Sequence, residues 1–178
     1  FVIYFTAFID ITGFGLIIPL VPGYVDYFGF SALGLGILIA SFSLMQFIFS
    51  PILGKISDRV GRRPIILLSI SISCISFLIF SFALSYEMLF ISRIIGGLAT
   101  ELSIAQAYIA DTTSPKERGA KYGKLGSVFG AGFIAGPALA SFLYSYGELI
   151  NPGFGFTIAG LGAVSLTIIN LAFVYFFL

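Results

Sequence analysis

The chain has 178 residues, of which 58% are hydrophobic and 10% charged, with a mean hydropathy of +1.09. A soluble domain carries roughly 25% charged residues, so a water-soluble fold is excluded. A net charge of +1 makes no electrostatic case for nucleic acid, the lack of histidine rules out a histidine-based metal site, and the single cysteine, Cys74, leaves no disulfide within the chain.

Apolar runs of the length that crosses a ~30 Å hydrocarbon core recur along the sequence. They predict six membrane-spanning helices at about 2–23, 32–54, 64–84, 88–110, 122–146 and 154–178. A β-barrel would instead show alternating segments of ~10 residues, so the expected class is an all-α membrane protein. The first run is too long for a secretory signal and lacks a small-residue cleavage pattern. A chain that starts at Phe1 and stops at Leu178, both inside apolar runs, reads as a fragment of a longer protein.

The first helix contains Asp10, an acid within an apolar run, and leads into GYVDYFGFS, a connection with one acid and no base. The second helix ends in GKISDRVGRRP, which holds Lys55, Asp58, Arg59, Arg62 and Arg63. Gly54 and Gly61 there permit a tight turn and close helix approach. Asp58 and Arg62 stand four apart and can pair if the helix continues past the membrane edge. The fourth helix carries Arg93 and Glu101, and the connection after it brings Lys116, Arg118, Lys121 and Lys124. The last connection, GELINPG, again has one acid and no base. Eight of the nine basic residues thus fall in two alternate connections, which the positive-inside rule assigns to the cytoplasm together with both termini.

SPILGKIS in the second helix and GPALASFL in the fifth echo one another on opposite membrane faces. Two inverted three-helix repeats would produce this. Gly119, Gly123, Gly126 and Gly130 form a small-residue stripe on the fifth helix, read first as a packing surface. Gln46, Gln106 and Asn170 are read as packing residues before cavity residues, and the abundant Phe and Tyr as mostly lipid-facing bulk.

At 1.5 Å per residue, Asp10 lies roughly 13 Å and Glu101 roughly 14 Å from the inner ends of their helices, while Arg93 lies about 12 Å nearer the outside, too far for a direct bond to Glu101. Charge at membrane depth is costly and usually serves a pathway. Two carboxyls at one depth in a low-dielectric site resist ionising together, which is the property a proton carrier needs.

Gly54-x-x-x-Asp58-Arg59-x-Gly61-Arg62-Arg63 resembles the signature between the second and third helices of the major facilitator superfamily, with Ile56 where Leu is more usual. Arg93-Ile94-Ile95-Gly96-Gly97 is similar to that family's fourth-helix pattern, and Gly132-x-x-x-Gly136-Pro137 to the fifth-helix motif of its drug/proton antiporters, with Ala140-Ser141 where a glycine pair is common. DITGFGLIIPLVP resembles the first helix of the tetracycline-efflux branch. The resemblance implies the N-terminal half of a twelve-helix fold. It further implies a cavity lined by the first and fourth helices, and a cytoplasmic latch in which Asp58 faces a helix N-terminus of the other half, beside a charge cluster of Arg62, Asp111 and Arg118. By the same resemblance Arg93 tunes the site or relays protons, whereas Glu101 rests on the depth argument alone.

The expected function is proton-coupled efflux of small amphiphilic compounds by alternating access in the inner or plasma membrane. The alternatives are import of sugars or organic anions, with Arg93 as an anchor, and a six-helix module that does not transport. No cofactor, no metal and no enzymatic chemistry are expected, and the sequence contains no phosphate-binding GxxxxGK[ST] loop. The expected partners are the bilayer, a proton, a small molecule and a missing C-terminal six-helix half, or else a second copy as a homodimer.

Overall fold

The computed structural model describes the backbone of residues 1–178 and every side chain except those of residues 25 and 26. Its helices are α1 (Val2–Ile17), α2 (Leu20–Phe28), α3 (Ala32–Val60), α4 (Arg62–Ser81), α5 (Tyr86–Leu98), α6 (Glu101–Thr112), α7 (Arg118–Ile150) and α8 (Gly155–Phe177). They make six stretches long and apolar enough to cross a membrane, because α1 with α2 and α5 with α6 each form one broken span. Only helices and closed barrels satisfy every backbone group inside a bilayer.

Both breaks follow from sequence. Pro19 lacks the amide that would continue α1, so the chain turns at Ile18–Pro19. In the fourth span Gly96 and Gly97 weaken the helix; Ala99 is extended, and α6 restarts at Glu101.

The helices pair in a pattern that repeats with the two halves exchanged. α1 packs on α7 as α5 packs on α3, α1 packs on α8 as α5 packs on α4, and α4 packs on α8 across the middle. The first and fourth spans correspond as the broken pair. The second and fifth are the two long helices with an internal proline, Pro51 and Pro137. This exchange symmetry is the inverted three-helix repeat.

Small residues set the seams. A Cβ built on Gly136 would lie 2.6 Å from the carbonyl carbon of Gly15, and one on Gly132 would lie 2.8 Å from Ile11 Cγ2, so α7 and α1 touch backbone to backbone. In the other half a Cβ on Gly97 would strike the Phe42 carbonyl of α3. Buried hydroxyls tie further seams: Tyr24 donates to the Phe80 carbonyl at 3.1 Å, and Ser76 to the Ser92 carbonyl at 2.8 Å.

Several expectations change. α3 runs on to Val60 and α4 begins at Arg62, so most of GKISDRVGRRP is helical and the connection is Gly61 alone. Gly61 has φ +106°, a conformation that L side chains rarely adopt. Gly54, by contrast, has open space around it, so no close approach within this chain requires it. The same holds for Gly119, Gly123, Gly126 and Gly130, which pack against nothing in this chain. Helix packing instead uses Gly132 and Gly136, on the neighbouring part of α7. α7 also starts at Arg118 rather than near 122, because its first turn extends past the apolar run.

Gly136→Leu should overpack the α1–α7 seam at a cost of about 1–3 kcal/mol, lowering the thermal melting point of the detergent-purified protein. Gly126→Ala, where a Cβ meets open space, should melt with the wild type; equal melting of both variants would refute the seam.

Candidate functional site: a membrane-depth cavity and a charged cluster at the basic end

α1 packs on α6, and residues of both border one enclosure at the α5–α6 break. Between them lies a cavity of about 250 Å³ lined by Asp10 and Phe14 of α1, Phe42 and Gln46 of α3, Ser73 and Phe77 of α4, Glu101 of α6, and Phe129 and Phe133 of α7. Asp10 is half-buried and Glu101 only 6% exposed. A smaller crevice beside the cavity is bounded by Thr6, Asp10 and Glu101. The structure thus brings Asp10 and Glu101 into one enclosure.

Glu101 is the first residue of α6, where the positive end of the helix dipole favours a carboxylate. Its Oε1 accepts a hydrogen bond from Ser73 Oγ at 2.8 Å. Residue type alone does not single out Ser73. The available signal is the run Ser69, Ser73, Ser76 at spacings of four and three on an otherwise apolar helix, and all three are buried.

The five phenylalanines of the cavity make it an aromatic chamber with an acidic wall. Phe14 stands 5.2 Å from Phe42 and 6.2 Å from Phe133, centroid to centroid. Such ring faces carry partial negative charge and attract cations. Gln46 lines this chamber. Gln106 lies instead beside a shallow groove with Tyr122, whose hydroxyl donates to the Gln106 carbonyl at 3.2 Å.

Arg93 stands apart from the carboxyls. It is buried, with its guanidinium carbon 4.9 Å from the Phe80 ring centroid and 5.8 Å from that of Phe42, and its Nε and Nη2 have no hydrogen-bond partner among the described residues. Phe42 lines the cavity and Arg93 does not, so the cation acts on the chamber through an aromatic ring. No ion pair joins Arg93 to Glu101 among the described residues.

At the basic end, Arg62 ties three helices together. Its Nη2 lies 2.6 Å from Asp58 Oδ1 and 2.8 Å from Asp111 Oδ2, its Nε donates to Asp111 at 2.9 Å, and Nη1 donates to Ser57 Oγ. Each ion in this cluster sits at an unfavourable helix end: Arg62 at the start of α4, Asp111 near the end of α6. Pairing offsets both dipole penalties. Asp58 pairs with Arg62 across the Gly61 break rather than along one helix.

Arg118 stands beside this cluster rather than within it. Its guanidinium donates to the carbonyls of Ala110 at 2.9 Å and Thr113 at 3.3 Å, capping the carboxyl end of α6. Arg63 donates to the Tyr175 carbonyl of α8 at 2.6 Å, while Arg59 is exposed in the last turn of α3. Among the described residues no cluster of three or more His, Cys, Asp or Glu could hold a metal ion.

A family model for the Major Facilitator Superfamily matches residues 3–178. The class B tetracycline resistance protein of Escherichia coli is 41% identical over 157 residues, which is 86% of this chain and 38% of that protein. The quinolone resistance protein NorA of Staphylococcus aureus is 32% identical over 145 residues, 80% of this chain and 37% of that one. The crystal structure of the human organic anion transporter MFSD10 (TETRAN) superposes on 99% of this chain and 46% of its own with a TM-score of 0.84 at 27% identity. The chain therefore spans less than half the length of these relatives. Matched by the family model over nearly its whole length and carrying the family's fold, with tetracycline and quinolone resistance proteins among its relatives, the chain belongs to the Major Facilitator Superfamily, a family of membrane transporters rather than enzymes.

Proposed function

We propose that this chain is the N-terminal six-helix half of a proton-coupled exporter of small amphiphilic compounds. The observation that carries this reading is the convergence of Asp10 and Glu101 on one phenylalanine-lined cavity. Two carboxyls in one low-dielectric enclosure cannot both ionise cheaply, so the pair takes up and releases a proton as its surroundings change. Acidic and aromatic walls together suit an aromatic cation, whose binding and the proton's then compete for the same charge. The resistance proteins among the relatives support efflux of drugs.

The anion-transporting reading has a relative behind it, but its anchor, Arg93, lies behind the Phe42 ring while two acids line the chamber. An anion there would meet repulsion first. Arg93 in this reading adjusts the electrostatics of the cavity.

The partner needed for transport is a second six-helix half. Only 6% of the apolar window of α3 and 22% of that of α7 is buried, against 56% for the first span, and the glycine stripe of α7 and Gly54 of α3 stand open for close contact. A second copy of this chain in that place is the less favoured arrangement. The basic connections orient the chain with both termini in the cytoplasm of a cell bounded by the inner or plasma membrane. Asp58, paired with Arg62 yet more than half exposed, is the group that would latch the other half at its helix N-terminus.

Two outcomes test this reading in proteoliposomes of the full-length protein. A proton gradient should drive transport of tetraphenylphosphonium, above the protein-free background, and Asp10→Asn should abolish the coupling; undiminished coupled flux in that variant would sink the proton-carrier role. Arg62→Ala should lower the flux about tenfold, the kinetic equivalent of one charge-assisted hydrogen bond of about 1.5 kcal/mol. Arg62→Lys should fall between, since an ammonium cannot hold two carboxylates in a fork, and wild-type flux in Arg62→Ala would remove the cluster from the gate.

A further inference from the structure

Thr6 and Asn170 are buried polar residues that the transport scheme leaves unused. Thr6 is 2% exposed, and its Oγ1 has no hydrogen-bond partner among the described residues. Hydroxyls on membrane helices usually bond back to the carbonyl four residues earlier, as Thr12 does to Phe8 at 2.7 Å and Thr167 to Ala163 at 2.8 Å. Thr6 does not, so its hydroxyl is free for another group. Asn170, 1% exposed on α8, donates from Nδ2 to the Thr6 carbonyl at 3.2 Å and holds this turn of α1 in place.

Thr6 stands four residues before Asp10, on the same face of α1. It bounds the crevice that Asp10 and Glu101 also bound, with apolar walls from Ala7, Ile11 and Leu102. The crevice encloses about 10 Å³ in which a water can sit, which is the space one water needs, and its three polar walls supply the two to four partners that a buried water requires.

We infer that this crevice is a hydration site in which one water, held by Thr6 Oγ1, passes the proton between the carboxyls of Asp10 and Glu101. The step balances: the water accepts a proton from the carboxylic acid on one side and gives one to the carboxylate on the other. Water is regenerated and one proton has moved. Thr6 is a positioning residue, since it holds the water and carries no charge itself. The proposal rests on the proton-carrier reading of Asp10 and adds the group that connects it to Glu101.

Among the described residues few other charges bear on this step; Asp26 of α2, which also packs on α1, lies outside the described side chains. Of the helices packed on α1, α6 supplies Glu101, while α8 has no Asp, Glu, Lys or Arg. The α7 cations Lys121 and Lys124 lie at the basic end with Tyr4, whose hydroxyl donates to the Lys121 carbonyl at 3.3 Å and whose ring centroid is 5.0 Å from Lys124 Nζ. On the far side of Glu101, α4 brings Ser73, and Arg93 of α5 remains behind Phe42.

The test compares Thr6→Val, which removes the hydroxyl at nearly constant shape, with Thr6→Ser, which keeps it. Infrared difference spectra of the full-length protein, taken across pH, resolve the protonated-carboxyl stretch, assigned by its change in Asp10→Asn and Glu101→Gln. Thr6→Val should move that band and shift its pH midpoint on the order of one unit, and should erase an O–H band that moves in H2-18O. Thr6→Ser should restore all three. A Thr6→Val spectrum identical to wild type, or a Thr6→Ser spectrum altered to the same degree, would overturn the hydration site. So would sodium-dependent flux at fixed pH, since a bound cation would then occupy the crevice. Proton-coupled flux in the same variants separates the two claims: full coupling in Asp10→Asn defeats the carrier reading, whereas loss there with an unchanged Thr6→Val spectrum defeats only the water.

Discussion

The backbone contact between α1 and α7, where Gly136 rests against Gly15, determines where Asp10 stands. Membrane helices gain little from the hydrophobic effect when they associate, because lipid is as apolar as their side chains; close van der Waals packing has to hold them. With no side chain of α7 at Gly132, where Ile11 seats, and none from either helix at Gly136, α7 lies close on α1, and Asp10, Ile11 and Phe14 border the space that Phe129 and Phe133 of α7 also line. The second repeat solves the same problem with Gly97 of α5, which admits the α3 backbone beside Phe42, while Gly96 makes room for Ser76 of α4; Phe42 and Gln46 of α3 line the cavity.

A second constraint is the scarcity of hydrogen-bond partners at membrane depth. A polar group there can be matched by protein or directed at an enclosure, and Arg93 Nε and Nη2 have neither among the described residues. Glu101 combines both: it begins a helix, accepts from Ser73 and borders the cavity. Breaking the fourth span at Ala99–Thr100 makes this arrangement possible, since a continuous helix would offer no dipole end at that depth. Among the described residues, Arg93 has the Phe42 and Phe80 ring faces, a weaker partner than a carboxylate. The basic end follows different rules. Water is near, and the cluster around Arg62 joins three helix ends through charge, where a small movement can break it.

Much of the architecture was legible in the residues. Twenty-residue apolar runs count the spans, and alternation of charge among the connections separates the two ends. Depth was legible as well, because helical rise is constant: Asp10 and Glu101 fall at one level and Arg93 at another. Rotation about the helix axis was not legible. The stripe Gly119–Gly130 and the pair Gly132 and Gly136 share one helix, but only the pair carries a seam within this chain; the stripe faces away from the other helices of the chain. The family resemblance groups Arg118 with Asp58, Arg62 and Asp111, and in the structure its guanidinium donates to the carbonyls of Ala110 and Thr113 at the end of α6. The end of α3 was misplaced because charged residues were taken to mark the helix end, although Lys, Arg and Asp continue a helix readily once it leaves the bilayer.

By itself, then, the sequence determined that the chain spans a membrane six times, which connections share a side, and which ionisable groups lie at depth. Length, hydropathy and charge are summed along the chain and need no partner to be read. Only the tertiary structure decided that Asp10 and Glu101 border one cavity, that Ser73 and Thr6 stand beside them, and that Arg93 lies outside that cavity near the Phe42 ring. Those relations depend on how each helix is rotated against its neighbours. That rotation is set by backbone contacts between residues more than a hundred positions apart, such as Gly15 and Gly136.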